Sequence, residues 1–175
     1  MAKIYVFLAD GCEEIEALTP VDLLRRAGED VCTVSIMGRK EVKGSHKITI
    51  LADETIEEGE FDDGDMLVLP GGMPGTLNLA GNETLAALIR SYDDQGKKLA
   101  AICAAPSILG VMGILKDKNA VCQKYINLCH GFVLLCCMIS LVCFVTRYSL
   151  LFFVTNRRYY TTFFRRRACW KSSSI

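Results

Sequence analysis

Cys103 stands at the end of an apolar run, in Gly96-Lys97-Lys98-Leu99-Ala100-Ala101-Ile102-Cys103-Ala104-Ala105-Pro106-Ser107. A helix-compatible segment follows it at once. Ala101 lies two residues before the cysteine and Ala105 two after. A nucleophile on a sharp strand-to-helix turn needs small neighbours at those places, because the tight backbone brings their Cβ positions together. The stretch therefore reads as a nucleophile elbow carrying sulfur, and a buried structural cysteine at a strand end fits the same spacing. The thiolate is the reactive form of such a group, and a helix N-terminus directly after it is expected to lower its pKa.

Two further stretches supply groups that complement a thiol. Asp10-Gly11-Cys12-Glu13-Glu14-Ile15-Glu16 offers carboxylates, and Pro70-Gly71-Gly72-Met73-Pro74-Gly75 offers a glycine pair. Glu16, its pKa raised by burial, could hold a proton shared with sulfur and pass it to a substrate. Acids in a first helical turn are also favoured by the macrodipole alone. The backbone N–H groups of Ala104 and of Gly71 or Gly72 could point at an oxyanion, since glycine permits close approach. Gly71-Gly72 also fits a simple turn. It lacks the endings of a P-loop and the spacing of a dinucleotide fingerprint. No Cys/His spacing suits a metal such as zinc, and His46 is expected to be solvated in a polar turn.

The elements that must position these groups alternate. Residues 3–8 are an apolar run of strand length. Residues 13–27 show helical spacing closed by Gly28, with Pro20 predicting a kink or a later start. Strands are expected at 31–36, 47–50, 66–69 and 98–102, and helices over 82–95, capped by Asn82, and 105–112. The acidic stretch 52–65 reads as a solvated connection. Strands alternating with helices argue for a parallel sheet covered on both faces, with its site beyond the carboxyl ends of the strands.

The motifs Asp10-Gly11-Cys12-Glu13-Glu14-Ile15-Glu16, Leu69-Pro70-Gly71-Gly72 and Ala100-Ala101-Ile102-Cys103-Ala104-Ala105-Pro106 resemble those of the ThiJ/PfpI family in order and separation. That family includes a Parkinson-disease-linked protein deglycase. The resemblance covers residues 1–122. It implies a flavodoxin-like α/β sandwich (class I glutamine amidotransferase-like) with a mostly parallel sheet, usually as a homodimer. It implies Cys103 as nucleophile, Glu16 as the acid hydrogen-bonded to it, and Gly71, Gly72 and Ala104 as the oxyanion-binding or substrate-binding groups. The implied activity is cofactor-free conversion of small aldehydes (glyoxalase III-like) or removal of early glycation adducts (deglycase-like). Redox sensing or chaperone-like action through the same cysteine is the alternative, as is an inactive truncated member.

The chain changes character at residue 122. Residues 1–122 hold all 20 acids and 12 of the 20 Lys and Arg, net −8, whereas residues 123–175 hold no acid and 8 basic residues, net +8. Eleven of the 15 aromatics and five of the nine cysteines also fall in the second part. The family's later histidine turn, Ser-Arg-Gly loop and closing helix have no counterpart there, and His130 is not assigned the histidine's role. The expectation is a truncated α/β domain over 1–122 and an atypical apolar, basic tail over 123–175. Translation out of frame explains such a tail, and so does an apolar helix that replaces the closing helix or touches a membrane through 131–154. The arginines do not by themselves indicate nucleic acid. Met1-Ala2-Lys3 leads straight into the first strand, so a cytoplasmic, reducing setting with mostly free thiols is expected.

Overall fold

A computed structural model describes residues 1–118, 120 and 122, and the backbone of 153–155. Among the described residues, twelve elements follow in order: β1 (Lys3–Leu8), α1 (Glu14–Arg26), β2 (Asp30–Ser35), β3 (Glu41–Lys43), β4 (Thr49–Leu51), β5 (Glu54–Thr55), β6 (Met66–Leu69), α2 (Gly75–Gly81), α3 (Glu83–Asp94), β7 (Lys98–Ala101), α4 (Pro106–Val111) and β8 (Phe153–Thr155). The main sheet runs β5-β2-β1-β6-β7-β8, and β3 pairs with β4 in a separate hairpin. Every neighbour pair from β5 to β7 is parallel, and β8 is antiparallel to β7.

Successive side chains on a strand point to opposite faces, and both faces of this sheet are apolar. Tyr5, Phe7, Leu67, Leu69 and Leu99 pack with Leu79, Leu85, Ile89, Tyr92 and Leu109 from α2, α3 and α4. Ile4, Val6, Leu8, Val68 and Ala100 pack on the other face with Ala17 and Val21 of α1 and with Val42 and Ile50 of the hairpin. This double burial explains why β1, β6 and β7 are near-continuous apolar runs rather than alternating ones. Asn82 caps α3, its Oδ1 accepting the Leu85 N–H at 2.8 Å.

Several expectations are corrected. Helix α1 starts at Glu14 and continues through Pro20, which is buried in its interior. The stretch 52–65 is more than a solvated connection: it contains β5, and Ala52, Ile56 and Phe61 are buried. The Phe61 ring meets Tyr5 edge-on at 4.9 Å, so the acids sit outside an apolar anchor. The β7 edge pairs with Phe153–Thr155. Those residues are strand rather than part of an apolar helix. The rest of the proposed membrane-contacting segment, His130 and the arginine clusters lie outside the described residues. Among the described residues, no helix is long and apolar enough to cross a membrane.

The β3–β4 hairpin is tied to the start of α1. Ser45 N–H donates to the Cys12 carbonyl at 2.8 Å, and Gly11 N–H to the Lys43 carbonyl at 2.7 Å. The buried Glu14 carboxylate accepts from the His46 N–H at 2.7 Å and lies 2.8 Å from His46 Nδ1. Burial works against the Glu14 anion, but the hydrogen bonds from His46 and Ser45 hold its pKa down to about 2. His46 is raised above the usual histidine range, chiefly by its hydrogen bond to Glu14. A raised folded-state pKa gives stability that is fully present below the unfolded value of about 6.5 and is lost as pH rises through the folded value. Hydrogen exchange at the Ser45 and His46 amides, corrected for intrinsic rates, is therefore expected to lose protection as pH rises through the His46 titration. His46→Ala removes that pH dependence while leaving the sheet amides unchanged.

Candidate active site

The chain leaves β1 for β2 on one side and later returns to β6 on the other, so the strand order reverses between β1 and β6. Ligands of open α/β sheets bind beyond the carboxyl ends of the strands at such a reversal. The segments after β1, β6 and β7 are neighbours there, and they carry Glu13 to Glu16, Gly71-Gly72 and Cys103.

Cys103 sits in the turn between β7 and α4 with φ +60°. A non-glycine residue in the left-handed region costs of order 1–3 kcal/mol and persists only where its surroundings enforce it. Here they do. Ala105 N–H donates to the Ile102 carbonyl at 3.0 Å, and Ile102 N–H to the Leu69 carbonyl at 3.2 Å. Ala101 and Ala105 are buried, and Ser107 Oγ ties the turn by donating to the Ala104 carbonyl at 2.7 Å. The thiol of Cys122 also reaches that carbonyl, at 3.6 Å.

Glu16 projects from the first turn of α1 to the same place. Its carboxyl hydrogen-bonds the Cys103 thiol, and its Oε2 accepts the Gly71 N–H at 3.1 Å. Gly71 has no room for a side chain. A Cβ there would lie 2.6 Å from Glu16 Oε2 and 2.7 Å from Cys103 Cβ. Gly72 has φ +92°, which favours glycine, and its N–H reaches the Cys103 sulfur together with that of Ala104. The structure thus brings all five expected residues together and divides their backbone donors. Gly71 serves the acid, while Gly72 and Ala104 serve the sulfur.

Electrostatics couple the pair. Burial pushes Cys103 up to about 12, assisted by the negative charge and hydrogen bond of Glu16, against the N–H groups of Gly72 and Ala104. The expectation that the following helix makes this thiol acidic is thereby corrected. Helix α4 is short, and desolvation with an adjacent carboxylate outweighs its field. Glu16 is itself raised, first by burial and then by the charge of Glu13, while Cys103 and Gly71 favour its ionised form. Each group shifts the other through the hydrogen bond they share, so their titrations are coupled.

The spacing of acids in the chain did not single out two neighbouring residues. Glu13, whose Oε2 accepts the Glu16 N–H at 2.7 Å, caps α1. His46 is exposed but not merely solvated, since it is paired with Glu14. Ligand atoms of Glu13, Glu14 and His46 lie within 4.8 Å of one another. They already bond to each other and to the backbone of α1, so we read them as a latch between helix and hairpin. Cys12 and Cys32 are free thiols, each pushed up to about 11 by burial and nearby acids.

The chain is similar to known proteins in sequence and in fold. The profile described as DJ-1/PfpI family matches residues 2–130. The chain is 38% identical over 114 residues to Protein dj-1beta of Drosophila melanogaster, covering 65% of this chain and 61% of that one. It is 34% identical over 118 residues to Deglycase TK1284 of Thermococcus kodakarensis, covering 67% and 69%. The solved structure of oxidized Toxoplasma gondii DJ-1 superposes with a TM-score of 0.68 at 36% identity, covering 70% of this chain and 67% of that one. The match to the Drosophila relative thus spans about three fifths of that protein's length. With its flavodoxin-like, mostly parallel sheet and its three site loops, this chain belongs to the DJ-1/PfpI family.

Proposed function

We propose that the chain is a cofactor-independent cysteine enzyme acting on reactive carbonyls, in the manner of a glyoxalase III or a deglycase. The observation that carries this reading is the shared hydrogen bond between the Cys103 thiol and the Glu16 carboxyl, with two backbone N–H groups aimed at the sulfur. A relative carries the name deglycase.

The chemistry follows from where the proton sits. With the proton on Glu16, the sulfur is an anion and attacks the aldehyde carbon of an α-oxoaldehyde. The aldehyde oxygen becomes an oxyanion beside the Gly72 and Ala104 N–H groups and takes the proton from Glu16 as a hemithioacetal forms. The resulting carboxylate removes the hydrogen from that carbon as a proton and returns it to the neighbouring carbonyl carbon, while the hydroxyl proton passes from the first oxygen to the second. One carbon is oxidised and the other reduced, so no external hydride carrier is required. Water cleaves the thioester, releasing a hydroxy acid and restoring the thiol. The same attack on the hemiaminal carbon of an early glycation adduct would free the amine.

The site lies beside α1, whose outer face exposes Ile15, Leu18 and Leu23, and the adjoining hairpin exposes Ile48 and Leu51. This apolar surface suits a second copy of the chain, and we place a homodimer contact there. The pairing of the half-buried Cys103 with an acid also supports a second reading as an oxidation-sensing thiol. The Toxoplasma relative was solved in an oxidized form. Turnover decides between the two.

Lactate formation from methylglyoxal by the full chain is expected to vanish in Cys103→Ser. It falls about 10²- to 10⁴-fold in Glu16→Gln, the usual worth of a positioned general acid–base. A wild type no faster than Cys103→Ser removes the enzyme reading and leaves the redox one. Gly71→Ala inserts a methyl group between Glu16 and Cys103. It is expected to lower activity at least as far as Glu16→Gln and to destabilise the fold by about 1–3 kcal/mol in a denaturant melt, the range for overpacking.

A further inference from the structure

Helix α1 has an uncommon N-cap. Ser, Thr, Asp and Asn are preferred there because a short side chain sets its oxygen over the first turn. Here Glu13 takes the position with extended backbone, φ −80° and ψ 122°, and its Oε2 accepts the Glu16 N–H at 2.7 Å. Its own N–H donates to the Gly71 carbonyl at 3.0 Å, while the Gly71 N–H donates to Glu16 Oε2 at 3.1 Å. Glu13 and Glu16 thus grip both polar backbone groups of one glycine. A shorter cap would serve the helix as well. What glutamate adds is a negative charge, 23% exposed, fixed beside the acid that bonds Cys103.

We propose that Glu13 is a positioning residue that biases the shared proton toward Glu16 and thereby raises the share of Cys103 in the thiolate form. The proposal rests on the shared-proton reading given above. A pair with one proton has two forms, thiol with carboxylate and thiolate with carboxylic acid. A fixed anion on the Glu16 side disfavours the first. The balance of forces on Glu16 agrees. Its thiol partner and the Gly71 N–H favour the carboxylate, and burial and Glu13 favour the acid. The groups acting most strongly on Cys103 are burial, Glu16 and the N–H groups of Gly72 and Ala104. The charged groups facing Glu13 do not cancel it. Across the hairpin, His46 Nδ1 is 3.9 Å from Glu13 Oε1 but only 2.8 Å from Glu14 Oε2, so its cation is engaged by Glu14.

The test is the rate of Cys103 alkylation by iodoacetamide in the full chain between pH 5 and 9, followed on the Cys103 peptide by mass spectrometry. Glu13→Gln keeps a cap acceptor without the charge, and Glu13→Asn does the same with a preferred cap residue that guards against unfolding. Both are expected to alkylate several-fold more slowly at neutral pH with an unchanged melt, a tenfold change corresponding to one pKa unit. Glu13→Asp, which keeps the charge, is expected to stay near the wild-type rate. A cap that is only structural predicts wild-type rates for Gln and Asn, and that result overturns the proposal. Wild-type rates in these variants with an altered rate in Glu16→Gln remove the role of Glu13 alone. Wild-type rates in Glu16→Gln as well remove the shared-proton reading and this proposal with it.

Discussion

The site depends on a close approach that only a residue without a side chain permits. Gly71 lies where α1, the loop after β6 and the elbow after β7 converge, and a methyl group there would press on both Glu16 and Cys103. The thiol and the carboxyl therefore meet because the backbone between them is bare. Everything else holds that meeting in register. The parallel pairing of β1, β6 and β7 sets the three loops side by side, and the packed apolar faces of the sheet keep the strands from shifting.

Burial then decides the chemistry. In water a glutamate and a cysteine differ by about four pKa units, and a proton between them would rest on sulfur. Here burial raises both groups, so the resting proton stays on sulfur, and the neighbours set how readily it passes to Glu16. Backbone N–H groups from Gly72 and Ala104 favour the sulfur anion, while Glu13 disfavours the carboxylate. Helix α4 plays a smaller part than its place after Cys103 suggests. The left-handed backbone of Cys103 costs free energy that the surrounding hydrogen bonds and the two buried alanines offset, as is usual for residues fixed for reaction.

Much of this was legible in the chain. Ala101 and Ala105 flanking a cysteine at a strand end pointed to the elbow, and the pairing of Gly71-Gly72 with an apolar run pointed to a loop at the sheet edge. The three motifs fall on the three loops that meet at one edge of the sheet. Other features were hidden for physical reasons. Elements β3 and β5 are too short to carry a period, and α2 lies directly after a Gly/Pro loop that reads as a turn. Phe61 is an apolar anchor inside an acidic stretch, so composition masked its burial. Glu13 looked like one of several first-turn acids, because nothing in sequence spacing tells a cap from a solvated charge. The net sign of the field at Cys103 was also out of reach, since it depends on desolvation, a property of three converging segments rather than of one.

The central claim is that Cys103 and Glu16 hold one proton as a unit. A pH titration of the Glu16 side-chain carboxyl by ¹³C NMR, in the wild-type chain and in Cys103→Ala, tests it most directly. In the wild type, Glu16 is expected to titrate above the ordinary glutamate range. Because the thiol hydrogen bond favours the carboxylate, the midpoint should rise further in Cys103→Ala. An ordinary glutamate midpoint, the same with and without the cysteine, would contradict the account.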